Sequence, residues 1–277
     1  MSTLIVDMDN TLYDWVSYFV PALAAMTSVA AEILGISERA LRAELKAVHQ
    51  VRGNTEHPFA LLETQSVKRL SVGDDRAAAH KLLAPAFDAF DTERNARLHL
   101  YPGVSDTLAT VKESGCRIIG HTDATTANIG PRLRLLKVEH LLDVVYASAF
   151  RGLPYPAATG HQHAPREPTI AHPLKKPDPR AVLTILEDIQ ASPKRALYVG
   201  DNRYKDIVMA SSAGVMAAWA SYGAVTDSTL WEQLVEVTHY QGGSVNMPAS
   251  NMPLAPDVPT LHSFPEILAL YRFGVEP

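Results

Sequence analysis

With 277 residues, 47% of them apolar and 20% charged, the chain can bury a full core as one large or two smaller domains, which excludes a disordered or fibrous protein. A single cysteine, Cys116, excludes an internal disulfide framework and a cysteine-based metal cluster, and is compatible with a reducing, cytoplasmic compartment. The net charge of -5, with Lys and Arg scattered along the chain, offers no basic footprint for nucleic-acid phosphates, so no duplex-binding role is expected.

In chain order, Met1-Ser2-Thr3 runs into an apolar stretch without the basic start or cleavage site of a signal peptide, so export is not expected. Leu4-Ile5-Val6 reads as a buried parallel strand stopped by Asp7-Met8-Asp9-Asn10-Thr11. From about Trp15 to Arg97 the pattern is helical: Ser37 opens a segment with Leu41 and Leu45 on one face, and Arg76 to Phe90 carries Ala79, Leu82, Leu83, Ala86 and Phe90. The apolar-rich stretch from Tyr18 to Leu34 is broken by Pro21, Thr27, Ser28 and Glu32, which favours a helix packed in the fold over a membrane span.

Tyr101-Pro102-Gly103-Val104 leads into a helix with Leu108 and Val111, closed by Gly115 before a strand at Arg117 to Gly120. A helix near Ile129 to Leu136, a strand at Val144-Val145, a helix at Pro179 to Ile189 and a strand at Ala196 to Val199 follow. A helix from about Tyr204 to Gly214, a strand at Val215 to Trp219, and a short strand and helix within Thr260 to Arg272 complete the order. Such alternation implies an α/β fold with a doubly wound parallel sheet, and makes the helical stretch an inserted all-α cap. The expected domains are a discontinuous core of residues 1–14 and 98–277 and a cap of 15–97. Residues 151–174 and 241–258, rich in Pro, Gly, Ser, Ala, Asn or His, read as long loops.

Asp7 and Asp9 sit two apart at a strand end, where one carboxylate can attack while the other manages the leaving group's proton. Thr11 can offer a hydroxyl to a phosphate. Such a string is also compatible with a solvated Asx-type turn. Thr122, with Asp123 beside it, ends the second strand, at the edge where open α/β sheets bind ligands. Lys175-Lys176-Pro177-Asp178-Pro179 sets a cation before a well-marked helix start, although a lysine pair alone also suits a solvated surface. Asp201 and Asp206 follow the buried run Ala196 to Val199 and offer oxygen ligands of the kind Mg2+ prefers. Asp206 equally suits the N-terminal turn of a helix. His57, His161, His163 and His172 lack helical i, i+4 pairing, which speaks against zinc, and Trp15, Trp219 and Trp231 read as packing residues.

The ordered set Asp7-x-Asp9-x-Thr11, Thr122, Lys176 before Pro177, and Gly200-Asp201-x4-Asp206 resembles the haloacid dehalogenase-like (HAD) superfamily. That resemblance implies a HAD-like core under a helical C1-type cap. It implies Asp7 as nucleophile and metal ligand, Asp9 as general acid/base with its backbone carbonyl on Mg2+, Thr122 and Lys176 on the phosphate, and Asp201 on the metal. The second aspartate favours phosphate-monoester hydrolysis over dehalogenation, with a phosphotransferase or a non-catalytic binding protein as alternatives. The strings Asp9-Asn10-Thr11-Leu12-Tyr13 and Arg52-Gly53-Asn54-Thr55 are similar to the pyrimidine 5'-nucleotidase branch. They make Arg52, Asn54, Thr55 and nearby His57 candidate specificity residues for a small phosphorylated metabolite, such as a nucleoside 5'-monophosphate. A monomer or homodimer with no membrane partner is expected.

Overall fold

β1 (Thr3–Val6) is an apolar run with every residue buried, and its two faces feed two separate cores. Leu4 and Val6 pack into one and Ile5 into the other, as the two-residue alternation of a strand requires. The computed structural model describes residues 1–57, 59–70, 72, 74–151, 169–225, 227–239, 255 and 257–274.

Beyond β1 the chain leaves the sheet for α1 (Trp15–Leu34), α2 (Glu38–Arg52), a 3-10 turn at Ala60–Glu63, α3 (Gln65–Lys68), α4 (Arg76–Leu82) and α5 (Ala84–Arg97). Returning, it forms α6 (Val104–Glu113), β2 (Arg117–Thr125), α7 (Thr126–Leu135), β3 (Val144–Ser148), β4 (Thr169–His172), α8 (Pro179–Asp188) and β5 (Ala196–Gly200). A π-helical turn at Arg203–Val208, then α9 (Met209–Ser212), β6 (Met216–Ala220), α10 (Ser228–Val237), β7 (Thr260–Leu261) and α11 (Ile267–Leu270) complete the order.

All seven strands are parallel, in the order β4-β3-β2-β1-β5-β6-β7. The doubly wound α/β sheet is therefore present. Its winding reverses at β1, between β2 and β5, which is where such sheets open a crevice at their C-terminal edge. Val6 lies level with Gly120 on β2 and Val199 on β5, so Asp7 emerges at the centre of that edge.

Several elements differ from the sequence reading. β4 lies inside the stretch 151–174 that reads as loop; an edge strand of four residues, only His172 buried, lacks a strong alternation. Residues 152–168, with His161 and His163, and 240–254 lie outside the described residues. β2 continues past Gly120 to Thr125, with a register irregularity against β3 between His121 and Thr125. The helix expected from Tyr204 opens instead as the π-helical turn. By length and composition alone α1 is apolar enough to cross a membrane, contrary to the interrupted reading of Tyr18 to Leu34. Here it packs on α5, α2 and α10, stacking Trp15 on Phe19 at 4.9 Å.

α10 was not legible in the sequence. Asp227 caps it through Thr229 N and Leu230 N, and its buried face of Leu234 and Val237 turns to α1 and α2 rather than to the sheet. Lys46 Nζ donates to Val235 O at 2.9 Å, His49 Nδ1 to Val237 O at 2.6 Å, and Arg42 pairs with Glu236 at 3.3 Å. Burial lowers His49 to about 4, so the ring is neutral at pH 7. Replacing Leu234 by Ala is expected to cost about 2–5 kcal/mol, read as a melting-temperature fall of roughly 2–4 °C per kcal/mol. The exposed neighbour change Gln233→Ala should leave the melting temperature unchanged, and equal melting of the two variants would mean that α10 is not docked.

Candidate active site

The C-terminal ends of β1 and β5 bring Asp7, Asp201 and Asp206 together, each buried, with ligand-capable oxygens within 4.8 Å of one another. Asp7 N donates to Val199 O at 2.9 Å, tying the first residue past β1 to β5. A Cβ on Gly200 would overlap the Asp206 carboxylate, so only glycine lets Asp206 fold back under the strand end. Asp206 Oδ2 accepts from Asn202 N at 3.0 Å, while Oδ1 accepts from Lys176 Nζ at 2.7 Å and lies 3.3 Å from the Tyr198 hydroxyl.

Lys176 arrives from the loop before α8, whose N-cap is Asp178 with Pro179 at the first helical position. Its buried ammonium donates to Asp7 Oδ1 and to Asp206. Burial alone would lower Lys176; Asp206 and Asp7 outweigh that and hold it well above the usual lysine range, so it is charged. Burial pushes Asp7 up to about 7 despite Lys176, with Asp206 and Asp9 adding repulsion, and burial followed by Asp7 and Asp206 raises Asp201 as well. Three packed carboxylates facing one ammonium leave an excess of negative charge in oxygen ligands alone. Such a donor set fits a hard divalent cation such as Mg2+.

The remaining predicted residues fall into place differently. The Asp9 side chain lies outside this carboxylate group: Tyr13 OH (2.7 Å) and Arg132 NH1 (2.6 Å) both donate to its Oδ1, which leaves the backbone carbonyl as the Asp9 group expected toward the metal. Thr11 is fully buried and its hydroxyl donates to Asp7 Oδ2 at 3.4 Å, facing the nucleophile candidate from below rather than the cavity. Thr122 lines the cavity and accepts from Ala124 N at 3.0 Å. Asp123, expected beside the phosphate, receives Lys176 N at 3.2 Å and pairs with Lys205 at 3.0 Å. It thereby anchors the lysine loop, and it also lines the cavity.

Among the cap candidates, Arg52 and His57 both bond Glu63, at 2.6 and 2.7 Å, and Thr55 Oγ1 lies 2.7 Å from His239 Nδ1 just past α10. Asn54 Oδ1 accepts from Glu56 N. All four line the cavity, yet each is bonded to a partner inside the protein. The cavity, about 1060 Å3, also takes in Phe150, Lys175, Tyr204, Trp231 and His239.

Sequence reasoning missed Glu56 and Arg132, and it missed Ser221-Tyr222-Gly223 after β6. Tyr222 OH donates to Thr11 O at 2.7 Å, and a Cβ on Gly223 would overlap the Asn10 carbonyl oxygen, so this turn clamps the Asp7–Thr11 loop from above. The glycine after a buried strand was the available signal. Trp219 also does more than pack: its Nε1 donates to Asp201 O at 2.7 Å, with the Arg203 guanidinium 3.8 Å over its ring.

A carboxylate cluster at the switch point of a doubly wound sheet, under helices inserted after β1, defines an aspartate-based hydrolase of the haloacid dehalogenase type. A family model described as haloacid dehalogenase-like hydrolase matches residues 1–214, and the chain belongs to that family. Phosphoglycolate phosphatase of Pseudomonas putida is 29% identical over 218 residues, covering 78% of this chain and 68% of its own. Glyceraldehyde 3-phosphate phosphatase of Methanopyrus kandleri is 26% identical over 233 residues, covering 82% and 87%. In fold, 2-haloacid dehalogenase from Pseudomonas syringae superposes with a TM-score of 0.59 at 18% identity over 98% of both chains.

The folded, metal-free chain holds a proton on Asp7 between the ordinary carboxylate value and about 7, a proton the unfolded chain releases. This contribution to stability is present at low pH and lost as pH rises through about 7. Protons and cation compete for the same oxygens. Added Mg2+ is therefore expected to raise the melting temperature clearly at about pH 8 and little at about pH 5; an equal shift at both would remove Asp7 from the cation site.

Proposed function

We propose that this chain is a Mg2+-dependent phosphate-monoester hydrolase that forms an aspartyl phosphate on Asp7. The observation that carries the reading is the buried ammonium of Lys176 bonded to Asp7 within a carboxylate cluster, with Asp9 two residues on at the cavity wall. Asp7, Asp201 and Asp206, with the Asp9 backbone carbonyl, would hold the metal, which supplies charge neutralisation for the phosphoryl oxygens. Lys176 and Thr122 would hold the remaining oxygens.

In the first step an Asp7 carboxylate oxygen attacks phosphorus, the ester P–O bond breaks, and the departing oxygen takes a proton from Asp9 and leaves as the alcohol. In the second, Asp9 withdraws a proton from water as it attacks the aspartyl phosphate, releasing inorganic phosphate and restoring both carboxyl groups. The helices of residues 15–97 act as a cap that shields this chemistry from bulk water and shapes the leaving-group side.

The names of the relatives support small two- and three-carbon phosphate esters. A second reading, a nucleoside 5'-monophosphate, draws on the cavity of about 1060 Å3, at the upper end for small-molecule sites, and on Phe150, Tyr204 and Trp231 along its wall. Phosphate release should be measured from phosphoglycolate, glyceraldehyde 3-phosphate and nucleoside 5'-monophosphates, with and without Mg2+, for wild type and Asp7→Asn. Metal-dependent release that the variant lowers by at least about 10^3-fold is expected. Transfer of phosphate to an added sugar instead of water would mean a phosphotransferase, and no turnover of any ester would mean a binding protein.

A further inference from the structure

α7 begins just past Thr122 and turns two polar residues, Asn128 and Arg132, one helical turn apart, toward the insertion. Asn128 Nδ2 donates to the backbone carbonyl of Glu56 at 2.8 Å, and Arg132 NH2 donates to the Glu56 carboxylate. The other arm of the same guanidinium, NH1, reaches Asp9 Oδ1 at 2.6 Å and the Tyr13 hydroxyl at 3.1 Å. Tyr13 itself donates to that Asp9 oxygen, and Tyr18 OH donates to Glu56 at 3.3 Å. Both rings stand beside the guanidinium, 5.5 and 5.3 Å from its carbon. Arg132 is 6% exposed and is not on the active-site cavity wall, whereas Asp9 and Glu56 both are.

We propose that Arg132 is a positioning residue: it pins one oxygen of Asp9 so that the other faces the leaving group, and Glu56 of the insertion holds Arg132 in that pose. The inference rests on the hydrolase reading of Asp7 and Asp9. Among the described residues, the two donors to Asp9 both fall on Oδ1 and none on Oδ2. A protonated carboxyl has one O–H to give, and fixing the acceptor oxygen fixes where that O–H points. A guanidinium is suited to the task because its planar fork serves two carboxylates at once, one from each side of the cleft. Alignment of the acid is thereby tied to docking of residues 54–57 over α7, and the site is completed only with the insertion in place.

The dependence on leaving group separates this role from a merely structural one. An alkoxide needs a proton to depart, and p-nitrophenolate does not. The value of kcat/KM covers the steps through departure of the leaving group, so it should be compared for p-nitrophenyl phosphate and for the alkyl phosphate hydrolysed best in the panel above. For Arg132→Met the alkyl ester is expected to lose about 100-fold, the scale of lost general-acid help, and p-nitrophenyl phosphate less than about threefold. Arg132→Lys, which keeps the charge but not the fork, should fall between. Removing a buried arginine strands the Glu56 charge, so the double variant Glu56→Gln/Arg132→Met, checked for folding by circular dichroism, should give the same selective loss. Equal losses on both esters, or no loss on either, would overturn the assignment. Wild-type protein inert toward both esters would overturn the hydrolase reading and this inference with it, and that failure is seen in the wild type alone.

Discussion

A single ammonium holds opposite sides of the site together. Lys176 bonds Asp7, which follows β1, and Asp206, which follows β5, while its own backbone N–H donates to Asp123 near the C-terminal end of β2. Three strand ends therefore converge on one residue from the loop before α8. In the absence of that charge, Asp7, Asp201 and Asp206 would be like charges packed in a buried edge, which the desolvation cost alone makes unfavourable. The sheet order follows from the same need: only with β2 and β5 flanking β1 do these four groups meet.

Close backbone approach is the second constraint, and it is met by two glycines rather than by side chains. Gly200 leaves the space the Asp206 carboxylate fills, and Gly223 lets the turn after β6 lie against the Asn10 carbonyl. Asn10 adopts a left-handed φ of 59°, and its side chain accepts from Trp15 N at 3.0 Å, so the loop that carries Asp7 and Asp9 also orients the first turn of α1. The entry to the helical insertion is thus set by the same few residues that shape the site.

The parts of this arrangement legible in the sequence are those with a local signature. A β-branched run ended by an acidic pair, a proline-flanked helix start after Lys176, and Gly200-Asp201 after a buried run each announce themselves within ten residues, and so the sheet centre and the carboxylate cluster could be anticipated. Arg132 and Glu56 could not, because an arginine among the polar positions of an amphipathic helix and a glutamate in a loop look like solvated charge until the other side of the cleft is known. The contacts of Asp123 with the Lys176 backbone N–H and with Lys205 were hidden in the same way, because both partners lie far along the chain. β4 and α10 escaped because one is a four-residue edge strand mostly facing outward and the other is a ten-residue helix that fully buries only Leu234 and Val237.

The position of α10 bears on how the helical insertion can move. The insertion joins the sheet through the segments near Tyr13 and Leu100, which are bridged to each other, so any pivot of the insertion on the sheet would pass through them. Yet α2 is also bonded to α10 through His49, Lys46 and Arg42, and Thr55 to His239. The matched family region ends at residue 214, before α10 begins. A rigid-body swing about the pivot would have to break the buried His49 bond and expose Leu234 and Val237, or carry α10 along with it. The turn at Ser221–Gly223, ahead of α10, is held against the Asp7–Thr11 loop. Motion that admits a substrate is therefore easiest if α10 travels with α2. Trp231 and His239 would then move with residues 52–57, so that one wall of the cavity shifts as a unit against the fixed carboxylate cluster.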